Sequence, residues 1–87
     1  RPEHNVLLGG EYLNSLMTQY DGSLVLSAAA YNAGPGRVKN WIGMFGDPRA
    51  GGIDPLDWVE LIPFSETRNY VQRVSEAEEV YRKAYSR

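Results

Sequence analysis

The chain has 87 residues, 43% of them hydrophobic and 23% charged, with a formal net charge of −2. That balance fits one small globular domain and argues against both a disordered segment and the basic footprint of a nucleic-acid binder. There is no cysteine and a single histidine, His4, so these residues cannot build a thiolate metal site, a disulfide framework, a multi-histidine zinc site or a histidine-based triad. We expect neither a metal nor a cofactor. No run approaches the roughly 20 apolar residues of a membrane span. The sequence opens at Arg1-Pro2 without methionine or a signal-peptide pattern, which reads as a processed product or a piece of a longer chain.

In chain order, residues 5–20 predict a first helix. Val6, Gly9, Leu13, Leu16 or Met17, and Tyr20 recur at helical spacing. Gly9 and Gly10 cost helix propensity, so either another element crosses closely there or the helix starts near Gly10. Asp21-Gly22 ends it, and Ser23 can cap the next. The second helix, Leu24 to Asn32, has almost no polar face, as expected of a buried element. Gly34 suits the left-handed residue that closes a helix, and Pro35 suits the first turn of the following one. That third helix runs to about Phe45, with Val38, Trp41, Ile42 and Phe45 inward and Lys39 and Asn40 outward. Residues 46–53 are glycine-rich and predict a loop, most simply a surface connection. Asp54-Pro55 opens a short helix to Leu61 that carries Trp58. Ile62-Pro63-Phe64 breaks it, and Ser65 is positioned to cap a last helix reaching Tyr85. Glu66 in its first turn complements the helix dipole. Tyr70, Val71, Val74, Ala77, Tyr81, Ala84 and Tyr85 trace the apolar stripe of that helix. No segment alternates as a strand would. The expectation is an all-α domain of about five helices.

Two polar clusters lie beside apolar segments. Tyr31-Asn32 sits at the tip of the buried helix, where a hydroxyl and an amide need partners and a ligand is one possibility. Alone, Tyr31 reads as a packing residue with its hydroxyl at the rim. The second cluster runs from Trp58 to Val71. Glu60 is flanked by apolar residues, yet spacing alone favours an exposed position. Glu66 and Arg68 read more naturally as structural partners than as catalytic groups.

Three ordered blocks then carry a resemblance. Asn5 and Leu8-Gly9 with Tyr12-Leu13, then Ala30-Tyr31-Asn32-Ala33-Gly34-Pro35-Gly36, then Trp58-Val59-Glu60 through Glu66-Thr67-Arg68-Asn69-Tyr70-Val71, resemble the C-terminal half of a soluble lytic transglycosylase catalytic domain. The likeness covers nearly the whole chain, residues 1–87. It implies a lysozyme-like helical fold, of which this chain is the C-terminal part, and cleavage of the β-1,4 bond between N-acetylmuramic acid and N-acetylglucosamine in peptidoglycan. In that family a single glutamic acid protonates the leaving oxygen. As carboxylate it then takes the proton of the muramic 6-hydroxyl, which closes a 1,6-anhydro ring. By motif, Tyr31 and Asn32 would line the sugar cleft, and Tyr70 would place its hydroxyl near the acid. Glu60 would contact the acetamido or peptide part of the substrate. Gly34, Pro35, Glu66 and Arg68 would hold the motifs in shape.

The family's Glu-Ser and Gly-Leu-Met-Gln motifs do not occur in this sequence. Glu3 and Glu11 lack that context and are not assigned the role. No catalytic residue is therefore expected in this chain, and an upstream glutamate is expected to supply the acid. The partners implied are peptidoglycan glycan strands and an upstream or complementary segment, with no nucleic acid and no membrane span. The implied location is the periplasm. Two rival readings are a non-catalytic glycan-binding module and a plain helical interaction domain, and a hydrolytic lysozyme is a third. If half of the domain is missing, the buried helix should lie partly bare, and ordering would then require the upstream segment or self-association.

Overall fold

The hydrophobic periodicity of the chain resolves into five helices in a computed structural model that describes residues 11–85: α1 (Glu11–Gln19), α2 (Leu24–Ala33), α3 (Pro35–Phe45), α4 (Pro55–Glu60) and α5 (Ser65–Tyr85). The fold is all-α, with no strand among the described residues. The residues expected to begin the first helix, including Val6, Gly9 and Gly10, lie outside the described residues.

At the centre lies α2, packed against α1, α3 and α5, while α5 also holds α4. The run from Val25 to Ala30 is at most 8% exposed. The expectation that this helix would lie partly bare is therefore corrected for that run, and only its last turn, with Tyr31 and Asn32, is exposed. Its small alanines allow the three neighbouring helices to close in to core density. Ser27 is buried there because its hydroxyl donates to the Ser23 carbonyl at 2.7 Å. Ser23 caps the helix as expected, its side chain accepting from the Leu26 amide at 3.2 Å.

Two corners need unusual backbone. Asp21 (φ 59°) and Gly22 (φ 85°) turn the chain from α1 into α2, with the Gly22 amide returning to the Met17 carbonyl at 2.7 Å. Gly34 joins α2 to α3, and its amide closes α2 on Ala30 at 2.8 Å. Its φ of 97° is positive, but ψ of 148° is extended rather than the left-handed helical cap expected. A side chain there would meet nothing within 4 Å, so glycine is required by dihedral angle and not by space.

Asp54 caps α4 by accepting from the Leu56 amide at 2.8 Å. That helix stops at Glu60, one residue before the expected Leu61, whose amide is shared between the Asp57 and Trp58 carbonyls at 3.2 and 3.1 Å. Ser65 does not cap α5. The Arg68 amide bonds the Phe64 carbonyl at 2.9 Å, which makes Phe64 the flanking residue and puts Ser65 in the first turn. The stripe expected along α5 also ends early. Val71 and Val74 are buried, Ala77 and Tyr81 are half-buried, and Ala84 is exposed, because by then the helix has outrun the elements it packs on.

The loop after α3 is pinned. The Asp47 carboxylate accepts from the Arg49 backbone at 2.9 Å and from its guanidinium at 2.8 and 3.0 Å. Arg49 also reaches Asp21 at 3.2 Å and lies over the Tyr20 ring at 5.8 Å, tying the loop to the α1–α2 corner. This pairing holds the Asp47 carboxyl below the usual carboxylate range, the hydrogen bond from Arg49 being the main cause. Among the described residues no helix is long and apolar enough to cross a membrane.

Candidate functional site

The last turn of α2, the first two turns of α5 and the first turn of α1 converge on one face. Tyr31 leaves α2 there, and its ring stacks on Tyr70 of α5 at 6.0 Å between centroids, with planes 23° apart. On its other side Tyr31 meets Tyr12 of α1 at 5.7 Å and 42°. The three rings form a row that runs from half-buried Tyr70 to Tyr12, which is 53% exposed.

Asn32 sets the row. Its amide oxygen accepts from the Thr67 hydroxyl at 2.7 Å, and Thr67 is buried. This bond straps the end of α2 to the start of α5, and Tyr70 stands one turn beyond Thr67 on the same helix side. Arg68 fixes the start of α5 from the other side, donating to the Ile62 carbonyl at 2.7 Å. Burial pushes the Tyr70 phenol above its ordinary value, the neighbouring Tyr31 adds to this, and Arg73 partly offsets it. At neutral pH Tyr70 is thus a protonated hydroxyl that can donate to a ligand oxygen.

The structure therefore brings Tyr31, Asn32 and Tyr70 to one face. Gly34 and Pro35 shape the corner directly after Asn32. Glu66 is exposed in the first turn of α5. Glu60 does not join the row. It is exposed at the end of α4 and lines a groove of about 350 Å³ with Val59, Gln72 and Glu76. At 100° per residue, Gln72 and Glu76 point to a flank of α5 well away from Tyr70. A second groove of about 610 Å³, between the α1–α2 corner and α5, contains Asp21, Arg49 and Arg82 and none of the three tyrosines. These two grooves lie away from the ring row. A row of this kind becomes a groove only against an opposing wall.

Sequence reasoning missed Tyr12 as a member of the row and Thr67 as the partner of Asn32. Both stood inside quoted motif blocks, but nothing in their spacing tied either one to Tyr31 or Asn32. Every Asp and Glu among the described residues is exposed or half-buried. None of them is enclosed as the carboxyl of a general acid commonly is. The arrangement offers aromatic faces, one amide and phenolic hydroxyls. That is chemistry for gripping a flat, hydroxyl-rich ligand with apolar faces.

The Transglycosylase SLT domain family matches residues 1–50. The soluble lytic murein transglycosylase of Escherichia coli strain K12 is 47% identical over 81 residues, covering 93% of this chain and 12% of that protein. The Salmonella typhimurium protein of the same name is 46% identical over the same shares. A putative soluble lytic murein transglycosylase of Haemophilus influenzae is 48% identical over 75 residues, covering 85% of this chain and 12% of that protein. The chain thus spans about an eighth of the length of these relatives. No solved structure matches it.

Proposed function

The chain belongs to the Transglycosylase SLT domain family, and we propose that it forms the sugar-gripping wall of a peptidoglycan lytic transglycosylase. The observation that carries this reading is the Tyr31–Tyr70 stack held in place by the Asn32–Thr67 bond. In this reading the glycan lies along the rings, its apolar C–H faces against them and its hydroxyls within reach of Asn32 and Tyr70. The proton donor is a glutamic acid on polypeptide upstream of Arg1. It protonates the glycosidic oxygen as the bond to the muramic carbon breaks, and the resulting carboxylate then takes the proton of the muramic 6-hydroxyl as that oxygen closes the anhydro ring. No second carboxylate is needed because the attacking hydroxyl is tethered to the substrate. Glu60 lies off the row, so its role is contact with a peptide or acetamido branch rather than with the strand. The substrate places the protein in the bacterial envelope, in the periplasm.

Incubation with purified peptidoglycan tests this. The chain joined to its upstream segment should release muropeptides one water lighter than hydrolysis products, and the 87-residue chain alone should release none. Hydrolytic products from the joined protein, or no products at all, would overturn the transglycosylase reading. The lack of a buried carboxylate among the described residues favours one alternative, a glycan-binding module without catalysis. That alternative predicts binding without products in both samples.

A further inference from the structure

We infer that a trough along α5 is a docking site for a short, extended, basic segment of another protein. Its occupant is read from apolarity and charge, without the glycan reading above. Gln72, Ser75, Glu79 and Arg82 follow one another at helical spacing and form one wall. The α1–α2 corner, the loop after α3, and α4 form the other. The grooves of about 610 and 350 Å³ are the two halves of this trough, since Leu56, Ser75 and Glu79 line both. From Gln72 to Arg82 the helix rises about 15 Å, the reach of roughly four or five extended residues.

The floor is apolar, with Leu24, Val25, Pro48, Pro55 and Val59, and Leu56 stands 66% exposed where the halves meet. A lone exposed leucine means little, but one in the middle of an apolar floor offers a contact to another side chain. The charge is unbalanced. Asp21, Glu60, Glu76, Glu78 and Glu79 line the trough against Arg49 and Arg82. Both guanidiniums are already taken, Arg49 by Asp21 and Asp47, and Arg82 by Glu78 at 3.4 Å. Glu79 meets Lys83 at 3.6 Å, while Glu60 and Glu76 form no ion pair among the described residues. The half around those two is lined by no cation. A segment alternating apolar side chains with Lys or Arg satisfies both demands, its apolar side chains on Leu56 and its cations at the free carboxylates. The same charge repels nucleic acid and anionic lipid. Glu60 closes one end, where a docked segment and the branch of the glycan would compete for one carboxylate.

The test uses this chain joined to its upstream segment. The probe is a blocked peptide of about six residues that alternates leucine and lysine, with controls that carry glutamate for lysine or serine for leucine. It should bind about tenfold more tightly than either control and weaken as salt rises. Leu56→Ser should weaken binding about tenfold, and Glu76→Gln with Glu79→Gln about threefold with a shallower salt dependence. All three positions are exposed, so these variants keep the fold. Equal binding of the glutamate peptide, or unchanged affinity in Leu56→Ser, would overturn the inference. Two other occupants are read separately. A dimer in sedimentation that is lost in Leu56→Ser makes the occupant a second copy. Slow thiol labelling of Leu56→Cys in the joined protein makes it the upstream segment, and either result overturns the inference. Anhydro products without peptide binding remove the docking site alone, and peptide binding without products removes the transglycosylase reading alone.

Discussion

The molecule carries two aromatic clusters that composition alone would not separate. One is the tyrosine row, Tyr12, Tyr31 and Tyr70, with rings tilted by 42° or less, the first two exposed and Tyr70 half-buried. The other joins α3, α4 and the start of α5. There Trp41 meets Trp58 at 6.3 Å and 64°, and Phe64 at 5.5 Å and 85°, with the Arg37 guanidinium 4.5 Å from the Phe64 ring centroid. Edge-to-face contacts let rings fill a core from several directions and are favoured by their quadrupoles. The tyrosine contacts are stacked or tilted rather than edge-on, and only Tyr70 of the three packs on the core. The two clusters differ most at their centres: Trp58 and Trp41 are buried, whereas Tyr12 and Tyr31 are exposed, with Phe64 and Tyr70 at the margins of each.

That contrast can be broken by substitution, and the largest effect should fall on the buried cluster. Trp58 is fully buried, so Trp58→Ala should cost about 3–5 kcal/mol of unfolding free energy, read by denaturant titration. A cost near zero would mean that this cluster does not hold the fold. Gly34→Ala should cost about 1–3 kcal/mol, because alanine must adopt φ 97° at a corner where its methyl meets nothing. This change acts between the clusters and should lower both stability and glycan affinity. On the tyrosine row, Tyr31→Leu should leave the denaturation midpoint nearly unchanged and weaken glycan affinity about tenfold, measured by titration calorimetry on the protein with its upstream segment. A large stability loss with unchanged affinity would reverse the assignment of the two clusters.

Smaller effects sharpen the picture. Thr67→Val should cost about 1–2 kcal/mol, since it removes the donor that fixes Asn32, and Tyr70 should lose part of its order in the same variant. Smallest is Asp47→Asn. The folded-state pKa of Asp47 is depressed, so its contribution is present above the unfolded carboxylate pKa and is lost as pH falls through the folded value. The pair is partly exposed and screened, so the variant should flatten the acid limb of the stability profile by less than about 1 kcal/mol, with no change near neutral pH in glycan binding.

Much of the helical framework was legible in the sequence because it is set locally. Ser23, Asp54, Pro35 and Gly34 punctuate the chain through their own backbone and side-chain chemistry, and α3 begins and ends where its pattern predicts. The start of α5 was not legible, since the helix is opened by the Phe64 carbonyl and every residue has a carbonyl. The end of its apolar stripe was hidden for a different reason: burial there depends on how far the neighbouring helices reach. At the site, Tyr31 and Tyr70 were found by motif, while their stacking depends on Thr67 meeting Asn32 across 35 positions of sequence. Tyr12 was missed as a row member because its neighbour in space is 19 residues away on another helix.

The indole N–H of Trp58 is buried without a hydrogen-bond partner among the described residues. A dry, unbonded indole emits at short wavelength, and water shifts that emission to the red. This chain thus contains its own optical gauge of whether α4 is seated on α5. In a Trp41→Phe variant Trp58 is the one indole left, and a red shift of its emission would register undocking of α4.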